Sequence, residues 1–288
     1  MYVVRIWEGL GNQMFQYAFA RSLHHRTGQD VYLDTKRVYK ESFAVESKHI
    51  ERLYSLGHFN ITLPTIDVGQ DKRFDFLKQK TWLEKCIFYL SKRGKWGVRF
   101  LQDADAVYHK EFFSEAGDYY AFGWFQQEAY FADIRDVLLK EFTLQEEIVL
   151  PHELQDVLEN KNTVAVHIRR GDYLRCGMSC NEYYYMKAID KVRNEMKNPV
   201  FLVFTDDVEW VKRHIKTETT MYYVSESCKL RDYEELILMS RCRHQIISNS
   251  TFSWWAAWLN QNPDKRVISP AKWFSIQANI VPREWTII

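Results

Sequence analysis

Residues 163–173 read Thr-Val-Ala-Val-His-Ile-Arg-Arg-Gly-Asp-Tyr, and this stretch decides how the second half of the chain is read. Thr163–Ile168 is a run of strand length, apolar apart from Thr163 and His167, and reads as a buried strand. Two arginines, a glycine and an aspartate then end it abruptly. The same alternation recurs downstream. Asn181 caps a predicted helix that carries Tyr185, Ala188, Ile189, Val192 and Met196 on one stripe. Val200–Thr205 reads as a strand, Val208–Ile215 as a helix and Met221–Val224 as a strand. Tyr233–Ser240 is a helix, Gln245–Ser248 a strand, Phe252–Leu259 a helix and Val267–Ser269 a final strand. Regular β-α alternation predicts a parallel, doubly wound sheet in an α/β protein.

Upstream, Tyr2–Trp7 reads as a strand, followed by a tight turn at Gly9-Leu10-Gly11 with Asn12 as the candidate helix cap. Met14, Phe15, Ala18, Phe19 and Leu23 carry helical spacing, Gly28 is a stop, and Val31–Asp34 is a second strand, which makes one βαβ unit. The stretch Arg37–Leu101 mixes charges and aromatics without clean periodicity and is read as helices and loops. Tyr119–Trp124 is another strand. Gln127–Lys140 reads as a helix with Tyr130, Ile134, Val137 and Leu138 on one face. Glu146–Lys161, with Pro151 inside it, reads as a helix plus the linker. The expected domains are therefore 1–155, with a helical insertion, and 156–288.

Composition narrows the function classes. Lys and Arg number 39 against 38 Asp and Glu, a net charge of +1, so no chain-wide basic field for nucleic acid exists. Charged residues at 27% and apolar ones at 46% describe a folded globular chain, not a disordered one. The longest apolar runs fall short of a membrane span. Arg5 and Glu8 inside the first apolar run read as a strand and not as a signal peptide. Cys176 and Cys180 lack zinc-site spacing, and five cysteines make no disulfide framework, so a reducing cytoplasm is the default. Aromatics at 16% supply core, and also flat faces for a sugar or a base.

In open α/β sheets, ligands sit beyond the carboxyl ends of the strands. Four polar clusters fall there: His167 to Tyr173, Thr205-Asp206-Asp207, Ser225-Glu226, and Ser248-Asn249-Ser250-Thr251 at the start of a helix. Arg169 and Arg170 offer bidentate phosphate donors, and the helix start offers free N–H groups. Asp206 and Asp207 suit ring N–H groups or ribose hydroxyls. Together these describe a nucleoside-diphosphate pocket. Each has a plainer alternative: an Arg–Asp172 ion pair, an ordinary cap at Ser248–Thr251, and a solvated turn and cap at the aspartates. The chain has no Walker A pattern, and Met14 stands where a dinucleotide fingerprint needs its third small residue.

These residues carry a resemblance. His167-x-Arg169-Arg170-Gly171-Asp172-Tyr173, Gly9-Leu10-Gly11-Asn12-Gln13-Met14-Phe15-Gln16-Tyr17, Gly123-Trp124-Phe125-Gln126 with Tyr130-Phe131, and Ser248-Asn249-Ser250-Thr251-Phe252-Ser253-Trp254-Trp255-Ala256-Ala257 resemble, in order, signatures of the bacterial α-1,2-fucosyltransferases of glycosyltransferase family 11. They span Gly9 to Leu259. The resemblance implies a GT-B architecture, two Rossmann-like domains facing across a cleft, the C-terminal one binding GDP-β-L-fucose. It implies inverting transfer of fucose to the 2-hydroxyl of a galactose-containing acceptor, either an oligosaccharide or a lipid-linked glycan. No metal or other cofactor is expected.

By the same resemblance, His167, Arg169, Asp206, Asp207, Ser250 and Thr251 bind the nucleotide; Arg170, Ser248 and Asn249 are expected to join them from their place at the strand ends, and Arg169 and Asp172 are the expected catalytic residues. Asn12, Gln13, Trp124 and Gln126 are placed on the acceptor side, with core or capping roles as the alternative for Trp124 and Asn12. Glu8, Asp172 and Glu128 are the candidates for a general base. The absence of an anchor leads us to expect a cytoplasmic enzyme, with room for peripheral association at the inner membrane face, most readily through the region Arg37–Leu101. Two other readings compete. Asp103-Ala104-Asp105 is a D-x-D pattern that would suit a metal-dependent GT-A transferase. The aromatics alone would suit a non-catalytic carbohydrate-binding module. A transferase of the same fold using another nucleotide sugar also fits the motifs.

Overall fold

The structure is a computed structural model that describes residues 1–36, 53–78, 81–92, 97–105, 107–113, 117–273 and 280–288. The chain forms two compact units that divide between Gln145 and Glu146.

The first unit contains β1 (Tyr2–Arg5), α1 (Leu10–Thr27), β2 (Val31–Asp34), α2 (Trp82–Lys92), β3 (Val98–Asp103), β4 (Asp118–Gly123) and α3 (Arg135–Glu141). Its four strands are all parallel and lie in the order β2-β1-β4-β3. Tyr2 pairs with Val31 on one side and with Tyr119 on the other. The cap residue of α1 is Gly9, not Asn12, which lies inside its first turn. The helix stops at Gly28, whose φ of +67° suits a residue without Cβ and whose N–H donates to the His24 carbonyl. β3 is a strand that the sequence hides, because Arg99 and Gln102 are exposed, Phe100 and Leu101 only partly buried, and the run shows no clean alternation. The expected helix over Gln127–Lys140 is instead two 3-10 turns, Glu128–Tyr130 and Ala132–Ile134, followed by α3. Phe131 leaves helical geometry, with φ −140°, and its ring stands 5.9 Å from that of Phe15. Of the expected helical insertion, 37–52 lies outside the described residues.

The second unit contains α4 (His152–Asn160), β5 (Asn162–Ile168), α5 (Gly171–Arg175), α6 (Glu182–Glu195), β6 (Pro199–Thr205), α7 (Val208–His214), β7 (Met221–Tyr223), α8 (Val224–Ser227), α9 (Asp232–Arg241), β8 (His244–Ile246), α10 (Thr251–Leu259), β9 (Val267–Ser269) and β10 (Thr286–Ile287). Its six parallel strands lie in the order β10-β9-β8-β5-β6-β7. Val164, Val166, Ile168, Phe201, Val203 and Ile246 form a core with Tyr185, Ile189 and Val192 of α6. α10 is apolar on nearly every face, which is why it is buried: Trp254, Trp255 and Trp258 are almost wholly inaccessible. Asn181 caps α6 by accepting the Tyr184 N–H at 2.9 Å, as its sequence position predicts.

Two parallel sheets with crossover helices make this an α/β protein of GT-B type. In both sheets the strand order reverses beside the first strand: between β1 and β4 in the first unit, and between β5 and β8 in the second. Such switch points open a crevice at the carboxyl ends of the strands. Among the described residues, no helix is long and apolar enough to cross a membrane.

Candidate functional site

The carboxyl ends of β5 and β8 bring together side chains 81 residues apart in sequence: His167 Nδ1 and Ser248 Oγ are hydrogen-bonded at 2.9 Å. His167 is buried, and burial together with the nearby Arg169 charge pushes its pKa down to about 3. The ring is therefore neutral at ordinary pH. Ser248, Asn249, Ser250 and Thr251 are all buried, an unusual fate for four consecutive polar residues. Asn249 is held by the Met178 carbonyl at 2.8 Å and by Cys180. Ser250 is the cap residue of α10, but its hydroxyl makes no capping bond.

Beside this pair stand the two arginines. Arg169 reaches Asp172 at 2.8 Å and Asp206 at 2.9 Å. Arg170 reaches Asp207 at 3.1 Å and lies 3.8 Å over the Trp210 ring. Asp206 also accepts the Arg170 N–H at 2.8 Å, and Asp207 caps α7 by accepting the Trp210 N–H at 3.1 Å. The Arg–Asp172 ion pair and the cap at the aspartates, both read as alternatives from sequence, are thus present, whereas the capping bond read at Ser248–Thr251 is not made. The carboxylates fix the guanidinium planes, while Arg169 keeps about 29% of its side chain accessible. A Cβ at Gly171 would sit 2.9 Å from Asp206 Oδ2, so any larger residue there would shift that carboxylate.

The carboxyl ends of β1 and β4 build a different cluster. Glu8 follows β1 with φ +63°, a left-handed conformation that is costly for a residue with Cβ. Its carboxylate accepts from the Asn12 amide and, at 3.3 Å, from the Trp124 indole N–H. Gln126 donates to Asn12 Oδ1 at 2.8 Å. Glu8, Asn12 and Trp124 are half-buried. Three of the four expected acceptor-side residues therefore meet around one carboxylate. Gln13 does not join them. It is fully buried, donates to the Glu8 and Leu53 carbonyls at 2.7 and 2.8 Å, and accepts the Ser55 N–H at 3.0 Å. Its amide braces backbone. Glu128 opens the first 3-10 turn after Gln126.

The model for glycosyl transferase family 11 matches residues 1–288. The chain belongs to that family. The relatives of this family 11 transferase include the Escherichia coli O-antigen biosynthesis glycosyltransferase WbnK, 30% identical over 93% of each chain. They also include an Escherichia coli alpha-1,2-colitosyltransferase, 32% identical over 94% of this chain and 92% of its own. The mouse galactoside 2-alpha-L-fucosyltransferase Sec1 is 26% identical over 90% of this chain and 64% of its own. Among solved structures, Arabidopsis thaliana FUT1 in complex with GDP superposes with a TM-score of 0.53 at 13% identity, covering 92% of this chain and 69% of its own. That likeness shows a shared fold.

Two features of the family 11 transferase go beyond the sequence reading. Asp103 and Asp105 of the D-x-D pattern stand with His109, their ligand atoms within 4.8 Å of one another, so this trio could hold a cation. Asp103 is buried and accepts the Phe125 N–H, while Asp105 and Glu111 pair with the two nitrogens of His109 at 2.9 and 3.0 Å. Burial works to lower the His109 pKa, and the two carboxylates outweigh it and raise it. The second feature is Glu235, a partly buried carboxyl on α9 that takes a hydrogen bond from Ser225. Burial raises its pKa, and the Asp232 and Asp206 charges add to the shift. The Ser225 hydroxyl accepts the Thr205 N–H at 3.1 Å, tying β6 to α8. Trp210 and Glu235 carried no sequence signal, because each acquires its role from a partner on another element.

Proposed function

We propose that this family 11 transferase moves L-fucose from GDP-β-L-fucose to the 2-hydroxyl of a galactose-containing acceptor, with inversion, to give an α-1,2 linkage. The observation that carries this reading is the switch-point cluster of the second unit. There a neutral buried His167, an accessible Arg169 and the start of α10 converge on one crevice.

In this reading the acceptor oxygen attacks the anomeric carbon as the bond to the β-phosphate breaks, and the electron pair leaves with GDP. Arg169, already oriented by Asp172 and Asp206, and the N–H groups at the start of α10 stabilise the charge developing on that phosphate. Arg170, stacked on Trp210 and tied to Asp207, orders the same edge for the nucleotide. No divalent cation is assigned a part. The first unit takes the acceptor, and Glu8 receives the hydroxyl proton. Asn12 and Trp124 hold its carboxylate in place, and a carboxylate within hydrogen-bond reach of a hydroxyl is a competent base.

The relative named alpha-1,2-colitosyltransferase favours a second reading, in which the sugar transferred is colitose. The deciding experiment measures GDP release from GDP-fucose with and without lactose, in excess EDTA, followed by linkage analysis of the product. Acceptor-dependent release that survives EDTA, with an α-1,2 product, supports the proposal. Release only after manganese is restored sinks the metal-free mechanism and points to Asp103, Asp105 and His109. Turnover of GDP-colitose alone moves the donor to the second reading.

A further inference from the structure

The first unit carries an amphipathic helix whose outward face has no counterpart in the transfer reaction. α2 is fixed at its start by a reciprocal cap: the Glu84 N–H donates to Thr81 Oγ1, and the Thr81 N–H to Glu84 Oε2, each at 3.1 Å. Its inner side packs through Ile87 and Phe88 on the core formed by Val3, Phe74, Leu77, Val98 and Tyr120. The Phe88 ring meets Phe100 edge-on at 5.3 Å. The helix is thus a packed part of the fold. The opposite side is apolar as well. Trp82 is 80% exposed, Leu83 61% and Tyr89 52%.

A soluble chain does not leave Trp, Leu and Tyr together on one outward helix face without a use for them. The spacing of 82, 86 and 89 puts Trp82, the half-buried Cys86 and Tyr89 on one stripe, with Leu83 at its edge. Lys85 and Lys92 flank the stripe on its other side, and both are exposed. The sequence around it is strongly basic: over 78–96, Lys78, Lys80, Lys85, Lys92, Arg93 and Lys95 stand against Glu84 alone. The whole chain has a net charge of +1, so the rest of it is net negative and this basic excess is local. Eleven residues are too few to span a bilayer but enough to lie along its surface.

We propose that α2 is a membrane-surface anchor that docks on anionic lipid. Trp82, Leu83 and Tyr89 enter the headgroup–acyl boundary, where an indole or phenol ring keeps its polar edge wet. Lys85 reaches the lipid phosphates on its flexible stem, and Lys92, whose ammonium lies over the Phe88 and Phe100 rings, swings out to join it. Charge complementarity selects this occupant over a protein surface: a basic, apolar, single-helix stripe matches an anionic interface along its whole length. The anchor stands whatever sugar the enzyme transfers, and it suits an acceptor carried on a lipid.

The test is co-sedimentation of the full chain with phosphatidylcholine vesicles, with and without phosphatidylglycerol. The wild type is expected to partition onto the anionic vesicles and to be released as salt rises. Trp82→Ser, Leu83→Ser and Tyr89→Ser together are expected to cut that partition at least about tenfold, with no change in Tm, because these side chains lie outside the core. Lys85→Gln alone is expected to weaken binding to anionic vesicles about fivefold and to leave neutral ones unaffected. Two results would overturn the anchor: a wild type that stays in the supernatant with both vesicles, or a triple variant that sediments as the wild type does. A wild type that ignores vesicles but elutes as a dimer, split by the same substitutions, would likewise overturn it and give the face to a second copy.

Discussion

The two units place their crevices at equivalent points of topology and fill them with opposite chemistry. At the β1/β4 switch, a single carboxylate, Glu8, sits among neutral donors, the Asn12 amide and the Trp124 indole. At the β5/β8 switch, Arg169 and Arg170 are interleaved with Asp172, Asp206 and Asp207, beside a buried run of hydroxyls. Neutral amides and an aromatic ring suit a neutral sugar, whose hydroxyls both donate and accept. A latticed guanidinium suits a diphosphate, whose oxygens only accept. One doubly wound frame can therefore serve two ligands, because the frame supplies the crevice and the side chains at the strand ends supply the chemistry.

The largest test of this contrast is Arg169→Ala. It is expected to lower kcat for GDP release by about 10²–10³, and Arg169→Lys is not expected to restore it, because an ammonium cannot span Asp172, Asp206 and a phosphate in one plane. Normal turnover in Arg169→Ala would break the assignment of the second crevice. Next, Glu8→Gln keeps the shape and should lower kcat about a hundredfold, with little change in KM for lactose and with loss of the acid limb of the pH–rate profile. An equal loss in Asn12→Ala with an unshifted profile would instead give the first crevice a purely binding role.

Gly171→Ala sharpens the picture of how Arg169 is held. The added methyl displaces Asp206, which both receives the Arg170 N–H and anchors Arg169. A loss of about tenfold in kcat, with the fold intact by circular dichroism, is expected; a Cβ misplaces the guanidinium by only a fraction of an ångström, and positioning losses scale accordingly. The smallest effect is on stability. His167 stays neutral in the folded chain down to about pH 3, whereas the unfolded chain takes up its proton near pH 6.5. Between those values the unfolded state binds more protons, so stability is complete above pH 6.5 and falls as pH drops, by about 1.4 kcal/mol per pH unit for this group. Urea midpoints at pH 7 and pH 5.5 should show a fall that His167→Asn reduces.

Part of this was legible before any fold was known. The run Thr163–Ile168 reads as a buried strand because five of its six residues are apolar or β-branched and it stands between a polar segment and two arginines. α10 announces its burial through Trp254, Trp255 and Trp258. Gly28 and Asn181 mark helix ends by local chemistry alone. β3 was not legible, since a half-exposed strand carries charges that blur its period. The break at Phe131 was not legible either: the apolar spacing over 127–140 fits a helix, and only packing against Phe15 favours leaving it.

The sequence by itself determined the β-α alternation, the polar clusters at strand ends and the family, because strand period, capping and motif order are local properties of the chain. Tertiary structure decided who holds whom. It put Asp206 on Arg169 and Asp207 on Arg170, gathered Asn12 and Trp124 around Glu8, and withdrew Gln13 into the backbone bracing. Ser248 reached His167 across 81 residues, and Gln126 reached Asn12 across 114. Such pairings depend on strand order in a parallel sheet, where neighbours are brought together by crossovers of many residues, and no short pattern in the chain records which strands become adjacent.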